Sequence, residues 1–365
     1  MSNRRQFGSA RKTAAGRWQA RYKGPDGRSR TGPQTFATRA EAVRFLNEMD
    51  REIHRGAWSD PRARGVILSA YAAEWLPVRP LALTTRELYE DLLRLHIKPD
   101  LGLYPLDRIT PATVRKWYGD ISNRTGSSRT RQAYALLKAI LNTAVSDELI
   151  VSNPCRIRGA SSAKAPERPL LSPQQVFALI DATDASMRAA FTVTFWAHLR
   201  LGELLGLRRG DLDLETGKLR IQRQMVRTRL GVREAPPKAA SARTVDLSQE
   251  ALDAFRERLI ACGPMLPSAM FFSLPSGEPL RQDHVGRAWR KARDKVGLPD
   301  AHFHDLRHAG LTLVAQTGAT TKDIMARGGH STARASLIYQ HAAESRGAQI
   351  AASMSLLAQV ARETP

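Results

Sequence analysis

Cysteine is scarce in this chain: Cys155 and Cys262 are the only two in 365 residues. That excludes a disulfide-stapled scaffold and a cysteine-based zinc site, and both read as free thiols in a reducing compartment. Acidic residues are also few, 35 against 56 Lys and Arg, and they form no cluster of the kind that holds Mg²⁺. No metal and no cofactor is therefore expected. Long apolar runs are missing too. None approaches the ~20 residues of a membrane span, and the opening Met-Ser-Asn-Arg-Arg-Gln has no apolar stretch of a signal peptide. A Walker loop and a Gly-rich dinucleotide fingerprint are both lacking, which excludes nucleotide-driven chemistry. The expectation is a cytoplasmic protein that makes no membrane contact.

What is present is positive charge. The formal net charge is +21 and the pI about 10.8, which points to a polyanionic partner, nucleic acid before an anionic lipid surface. A hydrophobic content of 42% suffices for packed cores, and the length exceeds one ordinary core. The expected fold class is multidomain and mainly α with small β elements. It comprises a small β-sheet-plus-helix N-terminal domain over 1–60, an α-helical domain over 66–157 and an α+β domain over 168–365.

The first forty residues hold ten Lys and Arg and one acid. Trp18, Ala20 and Tyr22 alternate with Arg17, Gln19, Arg21 and Lys23, which is strand periodicity. Pro25-Asp26-Gly27 marks a turn, with a second strand from Arg28 and a third up to Phe36. Thr38 and Glu41 have capping-box spacing ahead of an apolar face of Ala42, Phe45, Leu46 and Met49. Such a unit suits a DNA groove, with Arg17, Arg21 and Lys23 as contacts. Residues 56–67 read as a linker. Helical patterns then run around Tyr71 to Leu76, over Thr84 to His96, Thr110 to Ile121 and Arg129 to Asp147. Arg124, Arg129 and Arg131 cluster in and after the Thr-Gly-Ser-Ser segment, where phosphates can dock. This bundle carries no catalytic grouping.

After a second linker, 160–169, Ser172 and Pro173 open a helix, and a more buried one runs from Met187 to His198. Arg200 sits among leucines with Glu203 three residues on. A nearly buried arginine is costly unless an anion meets it, so Glu203 is its expected partner. Lys218 to Arg227 reads as one half-buried strand and Arg243 to Leu247 as another. Pro236-Pro237-Lys238 opens a loop or hairpin between them. Helices resume at Ser248 and from Gln282 to Val296.

Residues 302–341 gather the most chemistry. His304 and Arg307 are three apart and share a helix face. An amphipathic run follows from Leu311 to Arg327, and His330 comes after two glycines, in loop chemistry. Ser331 and Thr332 are good caps for a further helix that would carry Tyr339. Taken singly, a tyrosine usually packs. Together, two arginines, two imidazoles and a phenol suit an anionic phosphate and a nucleophile to attack it.

These pieces resemble the catalytic domain of the tyrosine recombinases, the phage integrase family. They are Leu-Arg-Leu-Gly-Glu-Leu-Leu-Gly-Leu at 199–207, Pro-Lys at 237–238, His-Asp-Leu-Arg-His at 304–308, Gly-Gly-His-Ser at 328–331, and Tyr339. His330 precedes Tyr339 by nine residues, the family's usual interval. The resemblance covers the whole chain and corresponds to the larger integrases, whose first domain binds arm sites and whose helical domain clamps core sites. It departs from the family at His198, where glycine is usual, and in a segment after Lys238 about one residue shorter.

The resemblance implies cleavage through a 3′-phosphotyrosine. Arg200, Arg307 and His330 would hold the phosphate, Tyr339 would attack, His304 would take the phenol proton, and Lys238 would protonate the leaving 5′ hydroxyl. It also implies double-stranded DNA with core and arm attachment sites, a homotetramer on that DNA, a host DNA-bending protein and an excisionase, in a bacterial cytoplasm at the nucleoid. Two other readings stand beside integration: the same chemistry used as a resolvase or topoisomerase, and a non-catalytic DNA-binding regulator. The basic N-terminal unit favours integration.

Overall fold

A computed structural model describes residues 7–25, 27–55, 58, 65–162, 170–238, 241–274, 276–330, 332, 351, 354 and 355. The chain divides into two compact units, Met1–Pro166 and Glu167–Pro365. The first contains two separate apolar cores.

The smaller core lies between an antiparallel sheet, β1 (Ser9–Lys12), β2 (Trp18–Lys23) and β3 (Ser29–Phe36), and helix α1 (Arg39–His54). Ala20 and Tyr22 face inward against Ala42, Leu46 and Met49, while Arg21 and Lys23 face out. The segment from Arg28 to Phe36 forms a single strand rather than the expected two. The remaining strand is Ser9–Lys12, whose lone apolar residue gives no periodicity to detect. Pro33 is tolerated because β3 pairs only with β2 and so lies at the sheet edge. Thr38 and Glu41 form the capping box. Trp58, expected in a linker, is 7% exposed and belongs to this core. Arg30 stacks over its ring and ion-pairs with Glu148 at 2.7 Å.

The second core is helical: α2 (Leu68–Trp75), α3 (Leu83–Leu92), α4 (Lys98–Leu101), α5 (Pro111–Arg124) and α6 (Ser127–Ser146). A π-helical turn, Leu93–Ile97, joins α3 to α4. Buried aromatics place their polar ends on partners. Trp117 Nε1 donates to the His96 carbonyl at 2.8 Å, and the Tyr71 hydroxyl to Asp147 at 2.5 Å. Both cysteines are free; burial pushes the Cys155 thiol up to about 12, so it stays protonated.

The second unit surrounds one core with α7 (Pro173–Asp181), α8 (Ala185–Trp196), α9 (Leu201–Gly206), α10 (Gln249–Cys262), α11 (Gln282–Lys295) and α12 (His304–Gln316). Helix α13 (Thr321–Gly328) follows, packed on α12 through a small cluster of Leu311, Ala315 and Ile324. The run from Leu311 to Arg327 is thus two helices, broken at Gly318, whose φ is 103°. Strands β4 (Leu212–Asp213), β5 (Lys218–Ile221) and β8 (Arg243–Asp246) make one sheet, and β6 (Gln224–Thr228) and β7 (Gly231–Ala235) a separate hairpin. The expected strand from Lys218 to Arg227 is therefore split. Arg223, at the break, pairs with buried Asp211, and Gly206 admits the turn: a Cβ there would lie 3.2 Å from Arg223 and Gln224 atoms.

Helix α12 crosses α8 where Gly310 has no side chain to intrude. A Cβ at Gly310 would overlap the Phe195 carbonyl and lie 2.9 Å from the His198 ring. Gly310→Ala should therefore destabilise the second unit by roughly 1–3 kcal/mol, as overpacking does. Urea unfolding of the full chain measures this, and a transition indistinguishable from wild type would refute the close crossing.

Candidate active site

Arg200 caps α9. Its backbone N–H donates to Glu203 Oε2 at 2.9 Å, and its Nη1 to Oε1 at 2.7 Å. Glu203, 1% exposed, is thus the expected partner. It has a second one that the sequence did not suggest. Arg243 on β8 donates Nη1 to Oε1 at 3.1 Å and Nη2 to Oε2 at 3.0 Å. Burial pushes the Glu203 carboxyl upward, but the hydrogen bonds and charge of Arg243, with Arg200 behind it, prevail and hold it below the usual carboxylate range.

The most deeply buried arginine is not Arg200, whose side chain is 23% exposed, but Arg307 at 1%. The difference is positional. Arg200 stands at a helix start, whereas Arg307 lies on the core-facing side of α12, one turn after His304. Arg307 donates Nη1 to the His198 carbonyl and Nη2 to the Gly328 carbonyl, with His330 Nε2 at 3.0 Å from Nη2. An arginine has only donors, so His330 accepts through Nε2 and keeps its proton on Nδ1.

Three successive carbonyls at the end of α13 meet three different guanidiniums. Arg327 O accepts from Arg243 Nε at 2.8 Å, Gly328 O from Arg307, and Gly329 O from Arg200 Nη2 at 2.8 Å. The helix ends there because Gly329 adopts a left-handed φ of 59°. Its missing side chain also matters, since a Cβ would lie 2.9 Å from Ser241 Cβ and 3.0 Å from Arg243 Nη1. His330 follows in a loop, as its two preceding glycines predicted.

His198, which stands where the resemblance calls for glycine, has a φ of 54°. The left-handed turn is kept, at a local cost of about 1 kcal/mol for a non-glycine residue. Its reward is a carbonyl aimed at both Arg307 and Arg243 Nη2, the latter at 3.2 Å. The ring is 2% exposed.

His304 opens α12 with its ring 4.6 Å from that of His308, edge to face. Burial, then His308, Arg307 and Arg200, push His304 down to about 4. Burial, then Arg307, Arg200 and Arg243, bring His330 to about 4 as well. Burial and the charges of Arg327 and Arg307 take His198 to about 3. At neutral pH all three are uncharged. His304 is free to accept a proton, and His330 can donate a hydrogen bond through Nδ1.

The structure thus brings together Arg200, Glu203, Arg307, His330 and His304, and adds Arg243, His198 and His308. Lys238 is not among them. It is exposed between β7 and β8, and only its backbone is engaged, its carbonyl accepting from Ser241 N at 3.0 Å among the described residues. Tyr339 and Ser331 lie outside the described residues, as does most of the C-terminal tail.

Of the proposed DNA contacts, Arg21 and Lys23 stand on the outer face of β2. Arg17 is exposed but bound to Thr35 through Nε and Nη2, at 2.8 and 2.7 Å. Helix α6 starts at Ser127, so the two serines of the Thr-Gly-Ser-Ser segment are helical, and Arg129 and Arg131 sit in the first two turns of α6. Arg124 pairs with Asp100 at 2.5 Å and is 55% exposed.

Comparison with known proteins supplies the family. Residues 169–346 match the phage integrase family, 6–55 the phage integrase N-terminal domain, and 67–121 the phage integrase N-terminal SAM-like domain. A Mycobacterium tuberculosis protein named as a prophage phiRv2 integrase is 39% identical over 366 residues, spanning 98% of this chain and 97% of its own. The Tn1549 transposon integrase in complex with transposon right end DNA superposes with a TM-score of 0.65 at 22% identity, over 74% of this chain and 92% of that one. A lambda integrase tetramer bound to a Holliday junction gives 0.56 at 16% identity, over 90% and 97%. This chain belongs to the phage integrase family. It is a site-specific DNA recombinase of the tyrosine type.

The depressed imidazoles set a pH dependence. Unfolded, His198, His304 and His330 regain an ordinary value of 6.5; folded, they lie at about 3, 4 and 4. The unfolded chain therefore binds more protons as the pH falls below about 6.5, and stability is lost progressively down to about 4. The thermal midpoint of the second unit should drop from about pH 7 to about pH 4.5, and less steeply in His330→Gln. Parallel slopes in the two chains would show that His330 is not held neutral by the fold.

Proposed function

We propose that this recombinase, which integrates phage or mobile-element DNA, cuts one strand by attack of the Tyr339 phenolic oxygen on a backbone phosphorus. The O–P bond forms as the bond from phosphorus to the 5′ oxygen breaks. His304, neutral at working pH, takes the phenol proton, and Lys238 supplies one to the leaving 5′ hydroxyl. Arg200 and Arg307 neutralise the non-bridging oxygens, for which planar guanidinium groups are well shaped, and His330 adds a hydrogen bond. The 3′-phosphotyrosine retains the energy of the broken diester, so attack by another duplex's 5′ hydroxyl rejoins the strands by the reverse steps. For Lys238 to take part, its connection must swing toward the arginines when DNA binds.

The observation that carries this reading is the gathering of Arg200, Arg307 and His330, from segments a hundred residues apart, onto one helix end. No fold-stabilising purpose needs so much positive charge in one place, and a phosphate does. Around this centre, residues 1–60 would read arm sites through Arg17, Arg21 and Lys23. Residues 66–157 would clamp the core site with Arg124, Arg129 and Arg131, and residues 168–365 would do the chemistry. Integration then calls for a homotetramer on two duplexes, working in the bacterial cytoplasm at the nucleoid with a host DNA-bending protein and an excisionase. The tetrameric lambda integrase lends support to that assembly.

The test is a nicked half-site duplex incubated with wild type and with Tyr339→Phe. Wild type should give a protein–DNA band that survives denaturation, while the variant binds equally well and gives none. A band of equal intensity in both would move the nucleophile elsewhere. Half-site affinity should also fall by roughly 10³-fold over a few-fold rise in salt if about six phosphates are contacted. A salt-insensitive affinity would contradict the phosphate clamp.

A further inference from the structure

Arg243 belongs to none of the roles assigned above, yet every donor of its guanidinium is engaged. Only 6% of it is exposed. Each of its five N–H groups has an acceptor. Nε donates to Arg327 O, Nη1 to Ser241 O and Glu203 Oε1, and Nη2 to His198 O and Glu203 Oε2, all between 2.8 and 3.2 Å. Arg200 is different. Among the described residues it uses only Nη1, Nη2 and its backbone, and it keeps partial exposure. Arg200 thus retains donors for an incoming phosphate, and Arg243 has none left.

We propose that Arg243 is a positioning residue for strand cleavage, which sets how much of Arg200 is available to the scissile phosphate. The inference rests on the recombinase reading of the site given above. Glu203 is almost wholly buried and must be neutralised. With Arg243 covering both of its oxygens, Arg200 needs to meet it through Nη1 alone. Without Arg243, the buried carboxylate keeps Arg200 as its one hydrogen-bonded cation among the described residues, and it draws that guanidinium into a two-pronged pair. The donors so consumed are the ones the phosphate requires. Arg243 also ties the Arg327 carbonyl to the His198 carbonyl, and so fixes the turn that presents His330. Reach, exposure and donor count therefore agree: Arg243 acts on the reaction through Arg200 and His330 and never touches the DNA.

The test is single-turnover formation of the covalent adduct on a nicked half-site, with half-site affinity measured in parallel at the same salt. Arg243→Gln should slow adduct formation by roughly 100-fold, the cost of a small misplacement of catalytic groups. Its dissociation constant for the half-site should stay within about threefold of wild type. Arg243→Lys, which keeps the charge but has fewer donors, should fall between the two. A methylphosphonate at the scissile position, which removes the negative charge that Arg200 opposes, should narrow the gap between wild type and Arg243→Gln. A purely structural loss would leave that gap unchanged. The inference is overturned by a near-wild-type rate, by rate and affinity falling together, or by a gap insensitive to the methylphosphonate. If circular dichroism shows Arg243→Gln unfolded, Arg243→Lys carries the same three comparisons, and a wild-type rate in it overturns the proposal. Failure of wild type to form any adduct, or an adduct with Tyr339→Phe, would instead defeat the assignment of the nucleophile.

Discussion

One buried carboxylate shared by two guanidiniums is the interaction on which the site depends. Glu203 is held by Arg200 and Arg243, and Arg307 lies alongside on the carbonyls of His198 and Gly328. Among the described residues, these three guanidiniums share one hydrogen-bonded carboxylate, so positive charge is concentrated in a largely buried region. Desolvated charge of that kind is expensive unless something opposes it. In the free protein the opposition comes from carbonyl dipoles and the negative end of α13. These are weaker partners than a full anion, so the fold holds in reserve an affinity that a phosphodiester can satisfy. Neutral histidines fit the same logic. Burial, and after it repulsion by these arginines, keeps His304 and His330 uncharged.

The end of α13 converts this electrostatic demand into geometry. Its last carbonyls would be orphans in an ordinary helix. Here each is claimed by a different arginine, from β8, α12 and the start of α9. Elements distant in sequence are thereby registered against one short turn. The same turn requires Gly328 and Gly329, because His330 packs where a side chain of the first would be, and Ser241 and Arg243 where one of the second would be. Position, conformation and charge are set together, so a change in any of them should be felt by the others.

Much of this was legible from spacing. Arg200 and Glu203, three apart among leucines, announced a paired arginine. His304 and Arg307 announced one helix face, and the Thr38 and Ser172 caps marked helix starts that the structure bears out. Legibility failed where meaning depends on distant partners. Arg243 looks like any other strand arginine, because the carbonyls and carboxylate that occupy it come from positions 198, 203 and 327. Arg200 drew attention from its apolar neighbours, although Arg307 is the one that the packing of α8, α12 and α13 encloses. The split between β5 and β6 was open to reading, since alternation lapses over Gln222-Arg223-Gln224, and the pairing of Arg223 with Asp211 marks that break.

Pro33 has a consequence for how copies of this chain can meet one another. Strand β3 forms an open margin of the N-terminal sheet, and such margins invite a strand from a neighbouring molecule. Proline offers no amide proton, so a visiting strand would find its ladder interrupted midway. Crowding of copies would then be less apt to fuse these small sheets edge to edge, and each could stay a separate module.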